Sequence, residues 1–296
     1  MSTPPYLALP PGIRRLDLAI PRGRVAALVG DLEPEPAGTA LLVPGFTGSK
    51  EDFIAVLAPL TQRGWRVVAI DQRGQLDSLG GTDPAEFSLE ALGGDLIEVL
   101  DHLGVAQVHL VGHSFGGLVA RAGALVAPGR VASLTLLGSG PGPLPEPGRS
   151  RVAGMHRALG QLDLESIWQI GQELDAEAGQ PAPDPQMLEF LHRRFLANNP
   201  VALRAMAQAL LDTADRSDEL AEQATRVRMR LLVAHGVDDE PWPPAVQAGM
   251  ARRIGADYVV IPGCAHSPAA EAPQATVEVL DWFWAGASPG LSPLRR

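Results

Sequence analysis

The feature that most restricts this chain is a regular alternation of short apolar runs with longer segments of helical spacing. Residues 38–44 (GTALLVP) form a continuous apolar run, as expected of a strand buried on both faces. Residues 65–71 (WRVVAID), 107–112 (QVHLVG) and 131–138 (VASLTLLG) read as further buried strands. Helices are expected between them, over residues 49–63, 88–103 and 114–127. In the first, Phe53, Val56, Leu57 and Leu60 share one face, and Ser49 is a fitting N-cap with Asp52 three residues on. Two alternating runs, 14–20 and 24–30, precede this series as a hairpin or meander. Two more strands, 228–235 and 256–261, and two helices, about 243–254 and 270–284, close it. Eight strands in this order predict an α/β fold: a mostly parallel eight-stranded sheet with helices on both faces.

The alternation stops at Gly140. Residues 140–149 (GPGPLPEPGR) are a Pro/Gly linker, and residues 150–226 carry only helical periodicity. Four helices are expected there, around 152–159, 164–174, 185–196 and 201–211. The chain therefore divides into a sheet core, residues 1–140 and 227–296, and an all-helical insertion, residues 141–226. Residues 288–296 read as a frayed tail.

Composition closes off other classes. At 296 residues the chain is near the upper size of a single core. Its 24 basic and 34 acidic residues leave a net charge of −10 with no basic stripe, so it would repel nucleic-acid phosphates and disfavour strongly anionic substrates. One cysteine, Cys264, permits neither an intramolecular disulfide nor a cysteine metal cage. There is no leader-like basic and apolar start and no apolar run approaching the ~18 residues of a membrane span, so a cytoplasmic protein without membrane contact is expected.

The sharpest chemical signal is Gly112-His113-Ser114-Phe115-Gly116, a Gly-x-Ser-x-Gly pattern between an expected strand and an expected helix. Such an elbow holds its serine in a strained conformation with the hydroxyl exposed above the sheet edge. Glycines are needed on either side because a side chain would strike the adjoining strand and helix. A serine hydroxyl is a weak nucleophile until a base takes its proton, and the base must be oriented by an acid. Both follow in the order this architecture uses. The strand 228–235 ends in Gly236-Val237-Asp238-Asp239, and the strand 256–261 ends in Pro262-Gly263-Cys264-Ala265-His266. Among seven histidines, His266 alone follows the last buried strand. His113 is locked beside Ser114 and is expected to face another way, and His235 is expected to be structural. Spacing alone leaves Asp238 and Asp239 as alternative acids. Cys264 reads as a packing residue, and most of Trp168, Phe190, Phe195, Met155, Met187 and Met206 as residues that hold the insertion together. Trp242 is a candidate wall of the pocket.

With these residues in view, the chain resembles the α/β-hydrolase superfamily, in its lipase- and esterase-like branch with a helical cap. The resemblance rests on residues 44–49 (PGFTGS), 71–74 (DQRG), 112–117 (GHSFGG), 236–239 (GVDD) and 263–266 (GCAH). It implies that Asp239, three residues after the turn glycine, is the acid in preference to Asp238. It implies also that the backbone N–H groups of Phe46 and Phe115 form an oxyanion hole. Two positions depart from the family pattern: Pro44 stands where a histidine usually precedes the glycine, and Gln75-Leu76 follow Arg73-Gly74 where His-Gly is usual.

The expected activity is that of a serine hydrolase cleaving a carboxylic ester or related acyl bond of a small, apolar molecule, with no metal and no cofactor. The same groups would serve an amide, thioester, lactone or carbon–carbon bond, or perhydrolysis. A non-catalytic binding protein on the same scaffold is the alternative of another class.

Overall fold

The computed structural model describes residues 2–31, 36–179 and 181–286. The expected tail, residues 288–296, lies outside them. One sheet holds eight strands: β1 (Ile13–Ile20), β2 (Gly23–Gly30), β3 (Gly38–Val43), β4 (Trp65–Ile70), β5 (Val108–His113), β6 (Val131–Leu137), β7 (Arg230–Gly236) and β8 (Asp257–Ile261). Their spatial order is β1-β2-β4-β3-β5-β6-β7-β8. Strand β2 runs antiparallel to both neighbours, and β3 to β8 are all parallel.

The apolar runs are explained by what lies on each face. Leu41 and Val43 of β3 point into one cluster with Leu96, Val99, Leu118 and Val119. Their neighbours Ala40 and Leu42 point into a second cluster with Ile54, Leu57, Val277 and Leu280. A strand covered on both faces has no position left for alternating polar residues. The covering helices are α1 (Ile54–Gln62), α2 (Leu89–His102) and α3 (Phe115–Val126) in the first half. In the second half they are α9 (Pro244–Ile254), α10 (Pro268–Glu271) and α11 (Pro273–Trp284), after five helices of the insertion.

Three expectations need correction. The helix expected over 49–63 opens with a 3₁₀ turn, Lys50–Phe53, before α1 begins. Of the expected Ser49–Asp52 pair, the Asp52 carboxylate accepts the Ser49 N–H across that tighter turn. The last helix is two, because Pro273 has no N–H to continue α10 and instead starts α11. Among its described residues the insertion holds five helices: α4 (Gly148–Ala158), α5 (Leu164–Glu177), α6 (Pro185–Leu196), α7 (Pro200–Asp212) and α8 (Ser217–Val227). Helix α8, which the sequence reading did not separate, packs on α3 and α9 of the sheet layer. Its polar face, rich in Glu, Asp and Arg, hides an apolar stripe of few residues, of which Leu220 and Ala224 are buried.

Within the insertion, Ile167, Trp168, Met187, Phe190, Leu191, Phe195 and Leu203 bury one another together with Leu76. Met206 instead joins the main core. Phe46, half-buried, packs against both the main core and this insertion cluster. Strand β3 lies between β4 and β5, so the connections after β3 leave the sheet in opposite senses at this point. Open α/β sheets form their ligand crevice at such a reversal, beyond the carboxyl ends of the strands.

Candidate active site

At this edge of the sheet the residues that follow β3, β4, β5, β7 and β8 come together. Strand β5 ends at His113 and α3 begins at Phe115, so Ser114 is the whole of the turn. Its φ of 54° and ψ of −121° are sparsely populated for a residue with a side chain, a strain costing about 1–3 kcal/mol. The surroundings over-determine it. The Ser114 N–H donates to Leu137 O of β6 at 2.9 Å. A Cβ at Gly112 would strike the backbone of Gly116 and Gly117, and one at Gly116 would strike the carbonyls of Val43 and Pro44. Glycine is required at both positions by close approach of backbone to backbone.

The Ser114 hydroxyl meets His266 Nε2 at 2.9 Å. His266 Nδ1–H donates to Asp239 Oδ1, also at 2.9 Å. An ionised carboxylate only accepts, so it fixes the proton on Nδ1 and leaves Nε2 as the acceptor for the hydroxyl. The Asp239 side chain is fully buried and its second oxygen receives the Gln247 side-chain amide at 2.9 Å. Asp238, the alternative acid, is exposed; the strand-end turn directs it outward and its neighbour inward.

The sequence pattern of the family described as "Alpha/beta hydrolase family" matches residues 40–279, most of the chain. This chain belongs to the alpha/beta hydrolase family. It is a hydrolase. A protein named putative carbamate hydrolase RutD, from Variovorax paradoxus, is 29% identical over 266 residues, covering 87% of this chain and 96% of that protein. A hydrolase from Pseudomonas aeruginosa superposes with a TM-score of 0.73 at 25% identity, covering 92% of this chain and 98% of that one. An enol-lactonase from Burkholderia xenovorans shares the fold with a TM-score of 0.75 at 18% identity, over 91% of this chain and all of the other.

His113 turns its ring away from the Ser114 hydroxyl, as expected. In this hydrolase it faces the loop that carries His266: its Nε2–H donates to the backbone carbonyl of His266 at 2.7 Å, with the two rings 5.0 Å apart. Burial, followed by the nearby His266, pushes its pKa down to about 4, so at neutral pH the ring is an uncharged donor. His235 is structural, as expected: its Nδ1–H donates to Gly236 O and its Nε2 receives the Tyr258 hydroxyl, both at 2.7 Å. Cys264 is buried, and burial with the carboxylates of Glu271, Asp239 and Asp238 pushes its thiol up to about 12, which leaves it unreactive. Trp242 is fully buried in the main core beneath Gly140, so it packs there and is no wall of an open pocket.

The loop after β3 is held by side chains from elsewhere in the chain. Gln72 Nε2–H donates to Pro44 O at 2.9 Å, and Gln75 Nε2–H donates to Gly45 O at 2.8 Å. Asp52 accepts the Ser49 N–H at 3.3 Å and the Arg194 guanidinium at 2.7 Å, the latter from α6 of the insertion. Burial pushes the Asp52 carboxyl above its ordinary pKa, with Arg194 opposing. Beneath the loop, Lys50 Nζ is shared between Asp71 and Asp77 at 2.7 Å each. Arg73 makes a two-pronged ion pair with Asp95 at 2.8 and 3.1 Å. These pairs account for the 71–74 segment as a structural one.

Sequence reasoning missed Gln247, Arg194 and the role of Gln75. Gln247 lies eight positions past Asp239 on α9, and nothing in one sequence distinguishes it from a surface glutamine. For Gln75 a signal existed, since it sits where the family usually carries histidine. Among the described residues no group of three or more His, Cys, Asp or Glu side chains could hold a metal ion. Among them also, no helix is long and apolar enough to cross a membrane.

Proposed function

We propose that this hydrolase is a serine esterase in the broad sense, cleaving a carboxylic ester or related acyl bond through an acyl-enzyme. The observation that carries this reading is the unbroken chain of 2.9 Å hydrogen bonds from Ser114 through His266 to Asp239. Ser114 Oγ attacks the acyl carbon while His266 Nε2 takes its proton. His266 then returns that proton to the leaving oxygen as the bond to carbon breaks. Water, deprotonated by the same imidazole, releases the acid and restores Ser114. Asp239, ion-paired to the imidazolium as it forms, keeps the ring in the correct tautomer.

Negative charge builds on the acyl oxygen, and the N–H groups of Phe46 and Phe115 are its proposed donors. Phe115 is the first residue of α3, where amides have no partner within the helix. Among the described residues neither N–H has a hydrogen-bond acceptor. A lost donor of this kind costs about 3–4 kcal/mol of transition-state stabilisation. The insertion, residues 141–226, is proposed to cap the crevice. Its cluster around Trp168, Phe190 and Phe195 joins Phe46 and favours an apolar, uncharged substrate. The name of the Variovorax relative adds a carbamate to the acyl compounds worth testing.

The decisive experiment is turnover on p-nitrophenyl esters of graded chain length, beside an amide, a thioester, a lactone and a carbamate. A burst of product is expected with the best ester. Ser114→Ala is expected to lose about 10⁶ in kcat. Equal turnover in that variant would remove the nucleophile, and absence of fluorophosphonate labelling in the wild type would favour a binding protein.

A further inference from the structure

We infer that Gln75 is a positioning residue for the oxyanion donor: by holding the carbonyl of Gly45 it sets the direction and strength of the Phe46 N–H. The inference rests on the proposed acyl-transfer reading and adds a component to it. The carbonyl of Gly45 and the N–H of Phe46 belong to one peptide group. That group is planar and trans, so fixing its oxygen on one side fixes its hydrogen on the other.

Two donors hold that oxygen. Gln75 Nε2–H lies at 2.8 Å and the Gly48 N–H at 3.1 Å, which together fill both lone pairs. Gln75 is itself fixed. Its side-chain oxygen accepts the Gln72 N–H at 3.1 Å, which settles which end of the amide faces Gly45. Its backbone lies in a tight turn, with Gln75 N–H donating to Gln72 O at 2.9 Å and Ser78 N–H to Gln75 O at 2.8 Å. The residue is fully buried, so water does not compete for the carbonyl. Gln72 treats the preceding carbonyl, that of Pro44, in the same way at 2.9 Å.

The effect is twofold. A rotation of the peptide plane would swing the Phe46 N–H away from the acyl oxygen, and the paired carbonyl resists it. A carbonyl that accepts two hydrogen bonds also polarises its own peptide group, so its N–H donates more strongly. Both effects matter most where charge has developed on the acyl oxygen, that is, in the transition state.

The test compares wild type with Gln75→Met, which keeps the length and removes the donor. Loss of about 10- to 100-fold in kcat is expected with KM within about twofold, as for a misplaced oxyanion donor. In the acyl-enzyme formed from cinnamoyl imidazole, the acyl carbonyl stretch should rise in frequency, because its hydrogen bonds are weaker. A purely structural role would lower the unfolding midpoint without moving that stretch. Turnover within about twofold of wild type, or a loss of kcat with an unmoved stretch, overturns the inference. Should Gln75→Met fail to fold, Gln75→Asn, which withdraws the amide while keeping it polar, is read by the same two measurements. Wild type without turnover or fluorophosphonate labelling would instead overturn the acyl-transfer reading itself.

Discussion

Two loops meet at Ser114, and they are held in place by opposite means. The elbow, residues 112–117, is locked by backbone against backbone: glycines pressed on strand and helix, and a main-chain bond from Ser114 to Leu137. The neighbouring loop, residues 44–52, is locked by side chains sent from afar, Gln72 and Gln75 after β4 and Arg194 from the insertion. A steric lock needs small residues at fixed spacing, so it leaves a short signature in the sequence. A lock made by remote polar side chains leaves no such local signature, because its members are far apart; of them only Gln75 stands out, at a position where the family usually carries histidine.

The sharpest way to break the contrast is to enlarge the elbow. Gly116→Ala should destabilise by on the order of 4 kcal/mol or more, read as a fall in the urea midpoint. Alanine is better than glycine in a helix by about 1 kcal/mol, so a loss shows that the carbonyls of Val43 and Pro44 cannot move aside. A variant as stable as wild type would show that the backbone lock is looser than drawn.

The remote lock should yield less. Arg194→Met leaves the buried Asp52 carboxylate unpaired, which by itself costs about 3–5 kcal/mol. The carboxyl can escape by taking a proton, so about 3 kcal/mol is expected at pH 7. The pH dependence separates this from a packing defect. With its folded pKa raised further above the unfolded value, Asp52 binds a proton preferentially in the folded state, so the variant regains stability relative to wild type as pH falls towards 4. A gap that stays constant with pH would rule out the unpaired carboxylate as its source.

The smallest effect concerns His113. Its folded pKa of about 4 lies below the ordinary 6.5, so between these values the unfolded chain binds more protons. Its contribution is complete above about pH 6.5 and is lost as pH falls to about 4. His113→Gln lacks this proton uptake. Wild type should therefore lose on the order of 2 kcal/mol relative to that variant across the interval, measured by denaturation at each pH. Parallel curves would mean that the ring is not held neutral by burial.

The same division governs what was legible. The eight strands, their succession along the chain and the Gly-x-Ser-x-Gly turn are written in local periodicity and spacing, and the structure has all of them. Asp239 became distinguishable from Asp238 through family resemblance, because two adjacent acids in a turn share one local pattern while one is buried and the other exposed. Helix α8 escaped notice because only Ser217, Leu220 and Ala224 are buried, too few to mark a period. Gln247 supports Asp239 across eight residues and a helix start, a relation created by the fold.

The contact from His113 to the His266 carbonyl has a mechanical consequence. His113 is covalently next to Ser114, so Ser114 and His266 are joined twice, once side chain to side chain and once through the His113 ring to the His266 main chain. A tremor that displaces the loop of residues 262–267 drags the turn with it. The separation of hydroxyl and imidazole then stays nearly constant while the walls around it shake, as the jaws of a caliper keep their setting when the whole tool is moved.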